Sequence, residues 1–151
     1  MENTAAPLFI THDHTGETID LSQLQGKKVL LYFYPKDMTP GCSIEAQGFQ
    51  DLYKEFQSLN TEILALSLDS KESHQKFCDA YGIEFPLLMD TDAKIASQYG
   101  VVKEKTLFGK TSLGIVRESF LINEQGVIIK HWKNVKPLEH PSEVLSFIKN
   151  Q

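Results

Sequence analysis

The run Val29-Leu30-Leu31-Tyr32-Phe33-Tyr34 is apolar or aromatic at every position. Side chains of a strand point alternately to opposite faces, so an unbroken run of this kind suits a strand covered on both sides. Pro35 ends it, having no N–H to offer a ladder. Ile63 to Leu68 is a second run of the same character. Strands buried on both faces belong to a parallel or mixed sheet with helices packed above and below.

The residues between these runs supply the crossover. Phe49, Leu52, Tyr53, Phe56 and Leu59 recur at helical spacing, with Gln50, Asp51, Lys54 and Glu55 on the opposite face, which predicts a helix following Cys42. Asp69-Ser70-Lys71-Glu72 resembles a capping box and predicts a second helix, running to about Tyr81 and stopped by Gly82. Strand, helix, strand, helix in that order implies right-handed crossovers.

Elsewhere the pattern is shorter. A hairpin is expected between Leu8 and Leu21, turning at His14-Thr15-Gly16-Glu17. Leu87 to Met89 reads as a short strand and Ala93 to Tyr99 as a short helix ended by Gly100. The stretch containing Gly109 and Gly114 shows no clear period. Glu118 to Ile122 and Val127 to Trp132 make a hairpin around Asn123-Glu124-Gln125-Gly126, and Pro141 opens a last helix carrying Val144, Leu145 and Ile148. The expected architecture is one α/β domain over residues 1–151, with a central mixed sheet, helices on both faces and a short N-terminal hairpin.

A chain of 151 residues with 41% hydrophobic and 23% charged content can bury a substantial core. Its net charge of −5 argues against nucleic acid or an anionic membrane as the main partner, and Lys103, Lys105 and Lys110 are diluted by Glu104 and apolar neighbours. The N-terminus lacks the basic start and apolar stretch of a signal peptide, and no apolar run approaches the length of a membrane span. A cytoplasmic location is expected. Thiols are kept reduced there, so Cys42 and Cys78 are expected to be free, catalytic or redox-active.

Cys42 follows Thr39-Pro40-Gly41 at the start of the first predicted helix. The unpaired N–H groups of a first helical turn favour negative charge, so a sulfur there is expected to act as a thiolate nucleophile. Other candidates are weak. His12 with His14, and His74 with Cys78, could touch a metal, but no four-ligand pattern exists. Gly109-Lys110-Thr111 lacks the glycine a phosphate loop needs five residues earlier, where Glu104 stands.

Pro35, Thr39 and Cys42 form Pro-x-x-x-Thr-x-x-Cys, and the string from Tyr32 to Cys42 resembles that of the peroxiredoxins, in their peroxiredoxin Q or bacterioferritin comigratory protein branch. Tyr99-Gly100-Val101, Gly109-Lys110, Gly114-Ile115 and Arg117 with Phe120-Leu121-Ile122 extend the resemblance over nearly the whole chain. It implies a thioredoxin-like fold and a peroxidase of hydrogen peroxide and small organic hydroperoxides. Cys42 would be the peroxidatic nucleophile, Thr39 would orient the peroxide, Arg117 would stabilise negative charge, and Pro35 would shape the pocket. Glu45 would be either a favourable first-turn acid or part of the network around the arginine. Relatives with a resolving cysteine on the same helix carry it where this chain has Gln47, so the resemblance points to Cys78, on the next helix, as the resolver. Unwinding of the first turn at Cys42, or of the helix bearing Cys78, would then be needed to bring two separate helices within disulfide reach.

No metal, haem or flavin is implied. The partners implied are a peroxide and thioredoxin or a similar dithiol reductant, and the chain is expected to be monomeric because it ends soon after its last helix. Two other readings remain open alongside a one-cysteine cycle using an external thiol. A protein disulfide oxidoreductase would want Cys-x-x-Cys, but Thr39 occupies the first position. A non-enzymatic binding module has no evident need of Pro35, Thr39, Cys42 and Arg117 together.

Overall fold

The computed structural model describes residues 1–151. In chain order, β1 (Ile10–His12) and β2 (Thr18–Asp20) form the N-terminal hairpin, followed by β3 (Lys28–Phe33), α1 (Pro40–Asp51), α2 (Tyr53–Ser58) and β4 (Thr61–Ser67). Then come α3 (Lys71–Tyr81), β5 (Leu87–Met89), α4 (Lys94–Gln98), the hairpin β6 (Val102–Leu107) and β7 (Lys110–Ile115), β8 (Glu118–Ile122), β9 (Ile128–Trp132) and α5 (His140–Lys149).

The five-stranded sheet has the order β5-β4-β3-β8-β9. β3, β4 and β5 are parallel, whereas β8 runs antiparallel to β3 and β9 antiparallel to β8. β3 is central and doubly buried, as its composition requires. Leu30, Tyr32 and Tyr34 enter one core with Ala46, Phe49, Phe56, Phe77 and Val144, and so meet α1, α2, α3 and α5. Leu31 and Phe33 enter the other core with Leu21, Ile95, Ala96 and Tyr99, against α4 and the segment after β2.

Because β3, β4 and β5 advance in one direction across the sheet, crossovers of a single hand place α1 and α3 on the same face. Cys42 and Cys78 therefore share one core. α4, on the opposite face, does not intervene between them.

Three local readings need correction. The helix after Cys42 is interrupted at Leu52, whose φ −102°, ψ 4° leaves the α region, so α1 and α2 are separate segments. The cap of α3 is Ser70, whose hydroxyl accepts from the Ser73 N–H, and Asp69 is directed elsewhere. The region around Gly109 is a regular hairpin, β6–β7, with consecutive positive φ values at Phe108 and Gly109. It carried no period because most of its side chains face solvent.

Candidate active site

β3 ends at Phe33, and in the parallel ladder Phe33 lies beside Leu66 of β4. In the antiparallel ladder Phe33 lies beside Glu118 of β8. The end of β3, the end of β4 and the beginning of β8 thus meet at one edge of the sheet. The loop to Cys42, the start of α3, and Arg117 all lie there. Strand ends of this kind are the common location of sites in α/β folds.

Pro40 opens α1 at a position where its missing N–H costs nothing, and Thr39 is the flanking N-cap residue. The Ser43 N–H bonds the Thr39 carbonyl at 2.9 Å. Gly41 and Cys42 have N–H groups in the first turn, with no carbonyl four residues back within the helix. The Thr39 hydroxyl does not cap the helix and instead donates to the Lys36 carbonyl at 2.8 Å. With its hydrogen so engaged, its oxygen keeps lone pairs for a further donor. Pro35 is half-buried at the turn out of β3.

Arg117 reaches this helix start from the far side of the chain. Its Nη2 donates to Cys42 Sγ at 3.2 Å and its Nη1 to Glu45 Oε1 at 2.7 Å. Gly41 allows the approach, since a Cβ at that position would lie 3.3 Å from Nη2. Burial lowers the guanidinium's proton affinity, but the charges of Glu45 and Cys42 outweigh it and hold the Arg117 pKa above its ordinary value. Burial pushes Glu45 up to about 7, against the opposing pull of Arg117. Glu45 Oε2 and the hydroxyls of Tyr32 and Ser43 are buried without hydrogen-bond partners. Tyr32 is held well above the usual phenol range, by burial first and then by Glu45 and Cys42.

Cys42, Thr39, Arg117 and Pro35 thus gather at one edge. Cys78 lies in the last turn of α3, buried and unbridged. Burial first, then the charges of Asp37, Asp79 and Asp13, push its thiol up to about 12. In this conformation Cys78 is a neutral thiol. Glu45, which sequence patterning left ambiguous, belongs to the arginine network.

A second cluster escaped the sequence patterning. Asp37, Asp69 and His74 converge so that one ligand atom from each lies within 4.8 Å of the others. These atoms are engaged in hydrogen bonds to one another's segments, to Tyr34 and to Ser67. The signal for His74 was its place on the same helical face as Phe77 and Cys78. That for Asp37 was only its position within the loop to Cys42.

The profile of the AhpC/TSA family matches residues 3–131. The chain belongs to this family. Peroxiredoxin Bcp of Bacillus subtilis is 44% identical over 146 residues, covering 97% of this chain and 92% of that one. Two solved variants of Xanthomonas campestris peroxiredoxin Q, each with one cysteine replaced by serine, superpose with a TM-score of 0.90 at 34% identity and cover 98% of both chains. Their replaced positions are as far apart as Cys42 and Cys78. A structure concerned with the alkyl peroxide reduction activity of the X. campestris bacterioferritin comigratory protein matches with a TM-score of 0.88 at 36% identity, over 94% of this chain and 90% of that one. The fold is the thioredoxin-like peroxiredoxin fold, and the protein is a peroxiredoxin with thiol peroxidase activity. No helix of this peroxiredoxin is long and apolar enough to cross a membrane.

Proposed function

We propose that this peroxiredoxin reduces hydrogen peroxide and small organic hydroperoxides at Cys42 and resolves the product onto Cys78. The observation that carries the reading is the Arg117 Nη2 contact with Cys42 Sγ at 3.2 Å, which sets a fixed positive charge against the sulfur. The Cys42 thiolate attacks one peroxide oxygen, the O–O bond breaks, and the sulfur becomes a sulfenic acid. The departing oxygen takes a proton and leaves as water or an alcohol. Arg117 stabilises the charge developing on the oxygens, and the Thr39 oxygen accepts from the peroxide O–H. Pro35 shapes the turn on which both sit.

Cys78 then condenses with the sulfenic acid, and a dithiol reductant of the thioredoxin type reduces the disulfide by exchange. The alkyl peroxide activity of the X. campestris relative supports organic hydroperoxides as substrates. We place this single-domain protein as a monomer in the cytoplasm, where thiols are kept reduced.

One equivalent of peroxide followed by intact-mass and peptide mapping tests the scheme. The expected product is a Cys42–Cys78 disulfide, with no peroxide consumed by Cys42→Ser. Persistent sulfenic acid, or a mixed disulfide with an added thiol, would replace the second half by a one-cysteine cycle. Disulfide reduction of insulin without peroxide turnover would overturn the peroxidase roles of these residues.

A further inference from the structure

Two buried polar groups unused by the peroxide chemistry, Asp37 and His74, meet between the loop leading to Cys42 and the helix carrying Cys78. Asp37, in that loop, is only 4% exposed. Its carboxylate accepts from the Tyr34 hydroxyl at 2.5 Å and the Ser73 hydroxyl at 2.8 Å, and meets His74 Nδ1 at 2.7 Å. His74 is fully buried, and its Nε2 donates to the Leu88 carbonyl at 2.9 Å. One shared proton therefore joins His74 to Asp37, sealed from water. The Asp37 N–H adds a second tie, donating at 2.8 Å to Asp69 at the β4–α3 junction.

These ties matter because α3 is thinly anchored. It buries only His74, Phe77 and Cys78, whereas α1 buries Cys42, Ser43, Glu45, Ala46 and Phe49. The element with fewer buried contacts opens first. His74 is one of its three anchors, and the only one bonded to the loop before Cys42.

We propose that Asp37 and His74 are positioning residues that form a clamp governing the resolving step. Closed, the clamp holds the Cys42 loop in the form that meets peroxide and keeps Cys78 in its pocket. Parting of the pair releases α3 and frees the loop together. The proposal rests on Cys78 being the resolving residue. In the step it governs, the S–O bond of the Cys42 sulfenic acid and the S–H bond of Cys78 break, the S–S bond forms, and water leaves. While the clamp stays closed the sulfenic acid persists, and a second peroxide can oxidise it to sulfinic acid.

Two variants test this. Ser73→Ala removes one donor to Asp37 from a half-buried position, and His74→Gln removes the shared proton while keeping an amide near Leu88. After one equivalent of peroxide, quenched-flow mass spectrometry should show disulfide formation faster by about tenfold in His74→Gln and by a few-fold in Ser73→Ala, the sizes expected for one charge-assisted and one ordinary hydrogen bond. Sulfenic acid formation should not accelerate, and the sulfinic fraction under excess peroxide should fall. In the reduced variants, amide exchange should rise together in residues 36–39 and 71–81 and stay unchanged in β4. A merely weakened fold would raise exchange in β4 as well.

Disulfide formation at the wild-type rate in both variants would overturn the clamp, as would faster exchange in α3 without the loop. If the wild type forms no Cys42–Cys78 disulfide, the resolver assignment fails and the clamp falls with it, whereas a wild-type disulfide formed no faster in the variants overturns the clamp alone. Should His74→Gln fail to fold, Ser73→Ala carries the test.

Discussion

Arg117 binds two acceptors with one fork, Cys42 Sγ through Nη2 and Glu45 Oε1 through Nη1. A lysine at this position would keep the charge but lose the planar geometry that spans both. Arg117→Lys should therefore lower kcat/KM for hydrogen peroxide by roughly 10²- to 10³-fold, the usual effect of losing one donor to developing charge, measured by stopped-flow peroxide consumption. Glu45 has a different signature. Its folded pKa is raised to about 7, so between about 4.5 and 7 the folded chain holds a proton that the unfolded chain releases. The stability associated with that proton is whole below about 4.5 and is lost as pH rises through 7. Urea unfolding at pH 5 and pH 8 should show wild type losing on the order of 3 kcal/mol relative to Glu45→Gln across that window. Pro35, Thr39 and Cys42 were legible from one short string. Arg117 stood out only through family resemblance, because nothing in its neighbours says which distant atom its guanidinium will meet.

Among the elements, α1 is positioned by close contact at two glycines. Gly41 admits Arg117, and Gly48 admits α5: a Cβ at Gly48 would lie 2.8 Å from Pro141 Cγ, part of a rigid ring. Gly48→Ala would gain about 1 kcal/mol in helix propensity but should still destabilise, because overpacking a tight contact costs about 1–3 kcal/mol. A lower denaturation midpoint with an unchanged m-value would be the result. Elements with a buried periodic face were legible, and their ends were less so. Asp69 looked like a cap because its spacing to Glu72 fits one, yet its carboxylate accepts from Ser67 and from the Asp37 N–H instead. The β6–β7 hairpin was invisible because Phe108 at its tip is 94% exposed and its neighbours are mostly exposed too. A ribbon without a buried face leaves no hydrophobic period to read.

At the scale of the molecule, one sheet divides two cores, and both cysteines lie in the same one. Oxidation should therefore disturb that side while sparing the sheet. Hydrogen exchange on the peroxide-treated protein should lose protection in α3 and the first turn of α1, with β3, β4 and β8 still protected because they are covered on both faces. The same treatment of Cys78→Ser should leave α3 protected. Unbroken apolar runs determined β3 and β4, helical spacing placed a helix beside Cys42, and a single motif marked Cys42 as the candidate nucleophile. Those are local signals, carried within one or two turns of chain. Tertiary structure alone decided that Arg117 meets Cys42, that α1 and α3 share a face, and that Asp37 binds His74. These depend on the antiparallel register of β8 against β3 and on the direction in which parallel strands are added, and both are settled by contacts between residues far apart in the chain.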